Sequence, residues 1–205
     1  MALEIERKWL VDSTKVSTLP FNLEVAERHR IEQSYLSFYP QVRLRSIDDG
    51  VRYLITVKAS VQVSAEGAAQ TPAQGVAQVS AESAAQVPEQ ERAQDVSRPY
   101  ETLARREYEA EITPESYRAL RPETQGKTLL KTRYVIPAGE GRTWEIDIYE
   151  GEFAGLVVAE MEFESEEAAA AFPTPAWALR DISIDPAFKN VVMAQEGGNV
   201  QKRFK

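Results

Sequence analysis

In most strand-like stretches of this chain every second residue is charged, and most such stretches carry one sign of charge. Successive side chains of a β-strand point to opposite faces. Glu4, Glu6 and Lys8 therefore share one face of the opening stretch, with Leu3, Ile5 and Trp9 on the other. Cations recur at this spacing in Val42-Arg43-Leu44-Arg45, Ile55-Thr56-Val57-Lys58 and Leu130-Lys131-Thr132-Arg133. Anions recur in Glu107-Tyr108-Glu109-Ala110-Glu111, Trp144-Glu145-Ile146-Asp147 and Glu160-Met161-Glu162-Phe163-Glu164. Converging faces of this kind would make one site for a polyanion and its metal ions.

Two architectures fit the pattern. An open antiparallel sheet with one face on helices and one in water also alternates apolar with charged residues. Against it stands the segregation of sign, since a solvated face usually mixes signs and includes Ser, Thr and Gln. The other architecture is a closed barrel with a charged lumen, which also removes exposed sheet edges. In it, Trp9 and Trp144 pack outside, opposite the charged rows.

The 205 residues, 43% of them hydrophobic, suffice for one domain with a substantial core. Twenty-four Lys and Arg against 32 Asp and Glu give a formal charge of −8. That balance disfavours nucleic acid and anionic lipid, so an anionic ligand needs a segregated basic surface. Cysteine is absent and His29 is the single histidine. A bound metal would then take carboxylate oxygens, which suits Mg²⁺ or Mn²⁺. His29, with no second histidine, is expected in solvent at a strand start. No leader or membrane-spanning stretch is read, and the cytoplasm is the expected compartment.

Seven or eight strands are expected, over 3–11, 29–38, 41–47, 51–58, 104–112, 129–136, 143–150 and 156–164. Asp48-Asp49-Gly50 and Ala138-Gly139-Glu140-Gly141 read as hairpin turns, so the topology is antiparallel. Helices are short and peripheral. Thr113 caps one that begins at Pro114, Ser165 starts an alanine run, and a last piece follows Pro186. Residues 59–99 are different: Val63-Ser64-Ala65-Glu66 returns as Val79-Ser80-Ala81-Glu82 in a stretch of Ala, Gln, Ser and Val. Without large side chains to bury, this stretch is expected to be a disordered insertion in a single domain of residues 1–194, followed by a polar tail, 195–205.

Glu4-x-Glu6-x-Lys8, Gln33-Ser34-Tyr35-Leu36, Arg43-x-Arg45, Thr56-x-Lys58, Glu107-x-Glu109-x-Glu111, Lys131-x-Arg133, Glu145-x-Asp147 and Glu160-x-Glu162 occur in the order found in the CYTH family of triphosphate tunnel metalloenzymes, which this chain resembles. The resemblance implies a mainly β fold, a closed eight-stranded antiparallel β-barrel (tunnel) with short peripheral helices. It also implies hydrolysis of a phosphoanhydride bond of inorganic tripolyphosphate or a nucleoside triphosphate. Departures gather near the C-terminus: Leu179 stands where the family has Gly, Ala187 where it has Arg, and Phe188 where it has Tyr.

On this resemblance Arg43, Arg45, Lys58, Lys131 and Arg133 clamp phosphate oxygens, because phosphoryl transfer asks the protein mainly for positioning and charge neutralisation. Metal ligands are drawn from Glu4, Glu6, Glu145, Asp147, Glu160 and Glu162, binding Mg²⁺ or Mn²⁺. Lys8 is the candidate base, oriented by Tyr35 on the next strand. Glu107, Glu109 and Glu111 support the cations. The partner is a small-molecule triphosphate. Competing functions are a class IV-type adenylate cyclase, a thiamine triphosphatase and a non-catalytic polyphosphate-binding module.

Overall fold

The computed structural model describes residues 2–59 and 104–197, with side chains over 5–58 and 107–197. The insertion read at 59–99, all but its first residue, and the tail beyond 197 lie outside the described residues. Among the described residues, nine strands form one antiparallel sheet. They are β1 (Ala2–Val11), β2 (Glu27–Phe38), β3 (Gln41–Ile47), β4 (Arg52–Ala59), β5 (Ala104–Glu111), β6 (Gln125–Gly139), β7 (Arg142–Tyr149), β8 (Val157–Glu162) and β9 (Ala178–Asp181). Three short helices accompany them: α1 (Pro114–Leu120), α2 (Glu166–Ala171) and α3 (Asn190–Glu196).

Local signals place most of these boundaries. The Thr113 hydroxyl accepts from Ser116 N–H at the start of α1, and Ser165 caps α2 through Ala168 N–H. Between β3 and β4, Asp48, Asp49 and Gly50 have φ of 52°, 55° and 95°, conformations that Gly and Asp reach most readily. The sequence reading missed β9, because four residues with none of them buried carry too little periodicity to be seen.

The strand order is β5-β4-β3-β2-β6-β7-β8-β1-β9, with β5 also paired to β1. This corrects the expected closed ring of eight strands. The β1–β5 register covers only Ala2 to Ile5, four residue pairs. Farther along the same edge, Trp9 to Val11 pair with β9 instead. The two ends of the sheet meet over part of their length and are not sealed along it.

Parity divides the core in two. On the outer face Trp9, Trp144, Ile146, Ala159 and Met161 pack with Ala169 of α2, and Phe172 and Trp177 complete the layer. The Trp9 and Trp144 rings meet edge-on, 5.2 Å between centroids. On the inner face each charged row turns apolar at one level. Leu10, Leu129, Tyr149 and Val158 each lie two residues beyond Lys8, Lys131, Asp147 and Glu160, and join Ile182, Phe188, Met193 and Ala194 in a second cluster. α3 thus packs over one end of the concave face. Gly126, with φ +68°, admits it: a Cβ there would lie 2.4 Å from the Ala194 carbonyl oxygen.

Candidate active site

The antiparallel register sets the inner charges opposite one another. Lys8 and Glu160 are paired across β1–β8, Glu145 and Glu160 across β7–β8, and Arg133 and Asp147 across β6–β7. On the facing strands, Arg43 lies beside Thr56, Thr56 beside Glu109 and Lys58 beside Glu107. Together they bound a cavity of about 450 Å³.

Thirteen of the residues singled out in the sequence line this cavity: Lys8, Tyr35, Arg43, Arg45, Lys58, Lys131, Arg133, Glu6, Glu107, Glu109, Glu145, Glu160 and Glu162. Asp147 is fully buried behind them, bonded to Lys131 and Arg133. Glu111 is exposed and pairs with Arg52 at 3.8 Å. The Glu4 side chain lies outside the described residues, although its backbone belongs to β1.

Two ion-pair networks face each other. In the first, Lys8 Nζ donates to Glu160 Oε1 at 2.6 Å and lies 3.2 Å from Glu6. Arg133 spans Asp147, Glu145 and Glu160, the last at 2.8 Å. In the second, Arg43 and Lys58 bind Glu107 at 2.9 and 2.8 Å, and Arg45 binds Glu109. Thr56 Oγ1, fully buried, donates to Glu109 at 3.0 Å and accepts from Arg43 and Arg45. Arg43 Nε and Arg45 Nε are buried donors that no acceptor among the described residues meets. A buried donor left unsatisfied costs about 1–3 kcal/mol, which an acceptor oxygen reaching either Nε would relieve.

Over 92 residues, 45% of its length, the chain is 37% identical to the inorganic triphosphatase of Nitrosomonas europaea, the match taking in 61% of that protein. Over 104 residues, 50% of its length, it is 36% identical to the inorganic triphosphatase of Acetivibrio thermocellus, covering 63% of that protein. The chain thus matches somewhat under two thirds of the length of each curated relative. A crystal structure of an inorganic triphosphatase aligns with 95% of both chains at a TM-score of 0.55 and 26% identity. The chain is thus similar in sequence to inorganic triphosphatases and in fold to a solved one. No family model matches it.

Within the cavity, burial and neighbours set the protonation states. Burial works to lower the Lys8 pKa, but Glu160 and Glu6 outweigh it and hold the ammonium form. Burial and then Arg133 bring Lys131 down to about 8, against the pull of Asp147. Burial pushes Tyr35 up to about 12, so its phenol stays neutral. Burial and Arg43 lower Arg45 to about 10. Burial raises Glu145 and Glu162, the latter helped by Glu6 and Glu107.

Tyr35 shares the cavity with Lys8 and feels its charge, although the two strands are not paired. Its strand, β2, pairs with β3 and β6, and its hydroxyl accepts from Gln33 Nε2 at 2.9 Å. His29 lies outside the cavity lining, bridging Asp48 at 2.8 Å and Glu27 at 3.1 Å. Among the described residues, no three carboxylates stand close enough to hold a metal ion by themselves. No helix among them is long and apolar enough to cross a membrane.

Gln33, quoted only as part of a motif, and Gln41, Ser183, Asp185, Lys189 and Asn190 also line the cavity, and the sequence reading assigned none of them a role. Parity could have found the glutamines, each two residues from Tyr35 or Arg43. No periodic signal marks the 182–190 segment, which reaches the cavity because Ile182 and Phe188 are buried in the inner cluster. Ala187, where the family has a cation, is buried in that cluster, while Lys189 lines the cavity.

Proposed function

We propose that this protein is a divalent-cation-dependent hydrolase of inorganic tripolyphosphate. The observation that carries the reading is the cluster of Arg43, Arg45 and Lys58 in the wall of a polar cavity, where Glu107, Glu109 and Thr56 leave Arg43 Nε and Arg45 Nε unsatisfied. Guanidinium groups suit phosphate oxygens through their fork of donors. The curated relatives named as inorganic triphosphatases support the same substrate class.

The cavity lining holds seven cations, Lys8, Arg43, Arg45, Lys58, Lys131, Arg133 and Lys189, and seven carboxylates, Glu6, Glu107, Glu109, Glu145, Glu160, Glu162 and Asp185. Its formal charge is therefore near zero, and a triphosphate needs added positive charge to enter. Glu6 and Glu162, opposite each other in the register, leave Glu162 reluctant to ionise. Glu6, Glu162, Glu145 and Glu160 are the carboxylates from which ligands for a hard ion such as Mg²⁺ or Mn²⁺ would be drawn. Phosphate oxygens and water would complete the shell, since no three of these carboxylates stand close enough to hold the ion by themselves. Bound there, the ion would neutralise phosphate charge and lower the pKa of a bound water.

The chain's own residues do the rest. Phosphate oxygens take the place of Glu107 and Glu109 on Arg43, Arg45 and Lys58, while the neutral Tyr35 phenol donates a hydrogen bond. Arg133 and Lys131, fixed by Asp147, stabilise charge on the transferring group. A water oxygen bonds to phosphorus as the bridging P–O bond breaks, giving phosphate and pyrophosphate. Lys8 is held as an ammonium while Glu160 and Glu6 face it, and acts as donor and orienting charge in that state. Only when those carboxylates turn to another cation does its pKa fall enough for it to give up a proton to solvent and then, as the neutral amine, accept one from the attacking water.

Ile182, Phe188 and Val191 bound the cavity at its α3 end with apolar surface. The test is phosphate and pyrophosphate release from tripolyphosphate, ATP and thiamine triphosphate with Mg²⁺ or Mn²⁺. Turnover of tripolyphosphate, lost on chelation and restored by the metal, is expected. No turnover of any substrate with either metal rejects the hydrolase.

A further inference from the structure

Lys8 sits at a gap in the sheet. On the edge of β1 that carries β5 at Ala2–Ile5 and β9 at Trp9–Val11, residues 6–8 lie between the two partner strands. The Lys8 backbone is bonded there all the same. Its N–H donates to Ser183 Oγ at 2.9 Å, and its carbonyl accepts from Ile182 N–H at 2.9 Å. A side chain thus stands in for a strand at the residue whose ammonium points into the cavity.

Ser183 is itself held. Its N–H and Oγ both donate to Asp181 Oδ1, at 2.8 and 2.6 Å. Asp181 Oδ2 accepts from Arg7 Nε at 3.0 Å. On the outer face Arg7 also donates to the Ala169 carbonyl at 2.7 Å and to that of Phe172, and lies 4.9 Å from the Trp9 ring centroid. The relay runs from α2 through Arg7, Asp181 and Ser183 to the Lys8 backbone.

We infer that Asp181 and Ser183, anchored by Arg7, are positioning residues that fix where Lys8 projects into the cavity. Asp181 and Ser183 do not touch the Lys8 ammonium. They set the backbone from which it reaches Glu160 and Glu6, and this role rests on the hydrolase reading above. The hydroxyl of Ser183 is the deciding group, since only a residue with a γ-oxygen can accept from Lys8 and donate to Asp181 at once.

The experiment compares Ser183→Ala, Ser183→Thr and Asp181→Asn with the parent protein, using thermal unfolding to establish that each variant is folded. A displaced catalytic group lowers kcat, so Ser183→Ala is expected to lose roughly 10-fold or more in kcat on tripolyphosphate. Its KM should stay within about 2-fold, because the phosphate-binding cations are untouched. Ser183→Thr should recover most of the rate. The second readout needs no turnover: the ¹⁵Nζ signal of Lys8, assigned by its loss in Lys8→Arg, should broaden in Ser183→Ala and return in Ser183→Thr. An unchanged Lys8 signal in Ser183→Ala overturns the inference, as does a kcat loss that threonine fails to restore. Should the parent protein turn over nothing, the hydrolase reading falls and the Lys8 signal alone decides the positioning role.

Discussion

Lys131 and Asp147 form an ion pair almost wholly shielded from solvent, with side chains 3% and 0% exposed. The same carboxylate also binds Arg133, Nε to Oδ1 at 2.7 Å and Nη2 to Oδ2 at 2.6 Å. One buried anion thus fixes two cavity cations. Removing one partner of a buried pair leaves an uncompensated charge, so Asp147→Asn should cost about 3–5 kcal/mol in urea unfolding. Joining Asp147→Leu to Lys131→Met is expected to recover part of that loss, because no unpaired lysine then remains.

Acid should unfold the protein partly through Glu160. Burial favours its neutral form, but Lys8 and Arg133 outweigh that and hold its pKa well below the ordinary glutamate value of 4.5. The folded pKa is depressed, so the stabilisation is complete above the unfolded value and is lost as pH falls through the folded one. A urea midpoint followed from about pH 6 to pH 2 should fall steeply in the parent and more shallowly in Glu160→Gln.

Glu162 behaves in the opposite sense. Burial, then Glu6 and Glu107, raise its pKa, so its ionised form weakens the metal-free fold at neutral pH. Glu162→Gln should therefore raise the thermal midpoint without metal, and shift the Mg²⁺ dependence of turnover to higher concentrations. A residue serving stability alone would leave the metal dependence unmoved.

Arg45 tests the phosphate clamp. Losing one charge-stabilising donor typically lowers the rate about 10²–10³-fold, and Arg45→Ala is expected to lose kcat/KM for tripolyphosphate in that range. Arg45→Lys should not restore it, because lysine lacks the Nε–H and the planar fork. Steady-state kinetics at saturating metal decide the outcome.

Gly126 tests the closed end. A side chain there meets the Ala194 carbonyl at 2.4 Å in a left-handed backbone conformation. Gly126→Ala should cost roughly 1–3 kcal/mol of stability and raise hydrogen exchange in α3 before other elements.

Much of the site was legible because strand parity is a local property. The two-residue spacing within Arg43-Leu44-Arg45 or Glu160-Met161-Glu162 requires only extended backbone to put both charges on one face. The hairpin turns and the Thr113 and Ser165 caps are likewise short-range, and the structure has them where the residues indicated. Less was legible wherever pairing partners matter. Tyr35 lies on the next strand after Lys8 in the chain, but the hydrogen-bonded order sets three strands, β8, β7 and β6, between β1 and β2, so the two residues meet only across the cavity.

The residue order alone determined which side chains share a face and what charge each face carries, since those follow from backbone geometry within a few residues. Tertiary structure decided which faces meet, that β9 takes part of the β1 edge, and that Ile182 and Phe188 draw Ser183 and Lys189 to the cavity. Those outcomes depend on burying apolar surface between segments distant in the chain, an energy that no local pattern encodes.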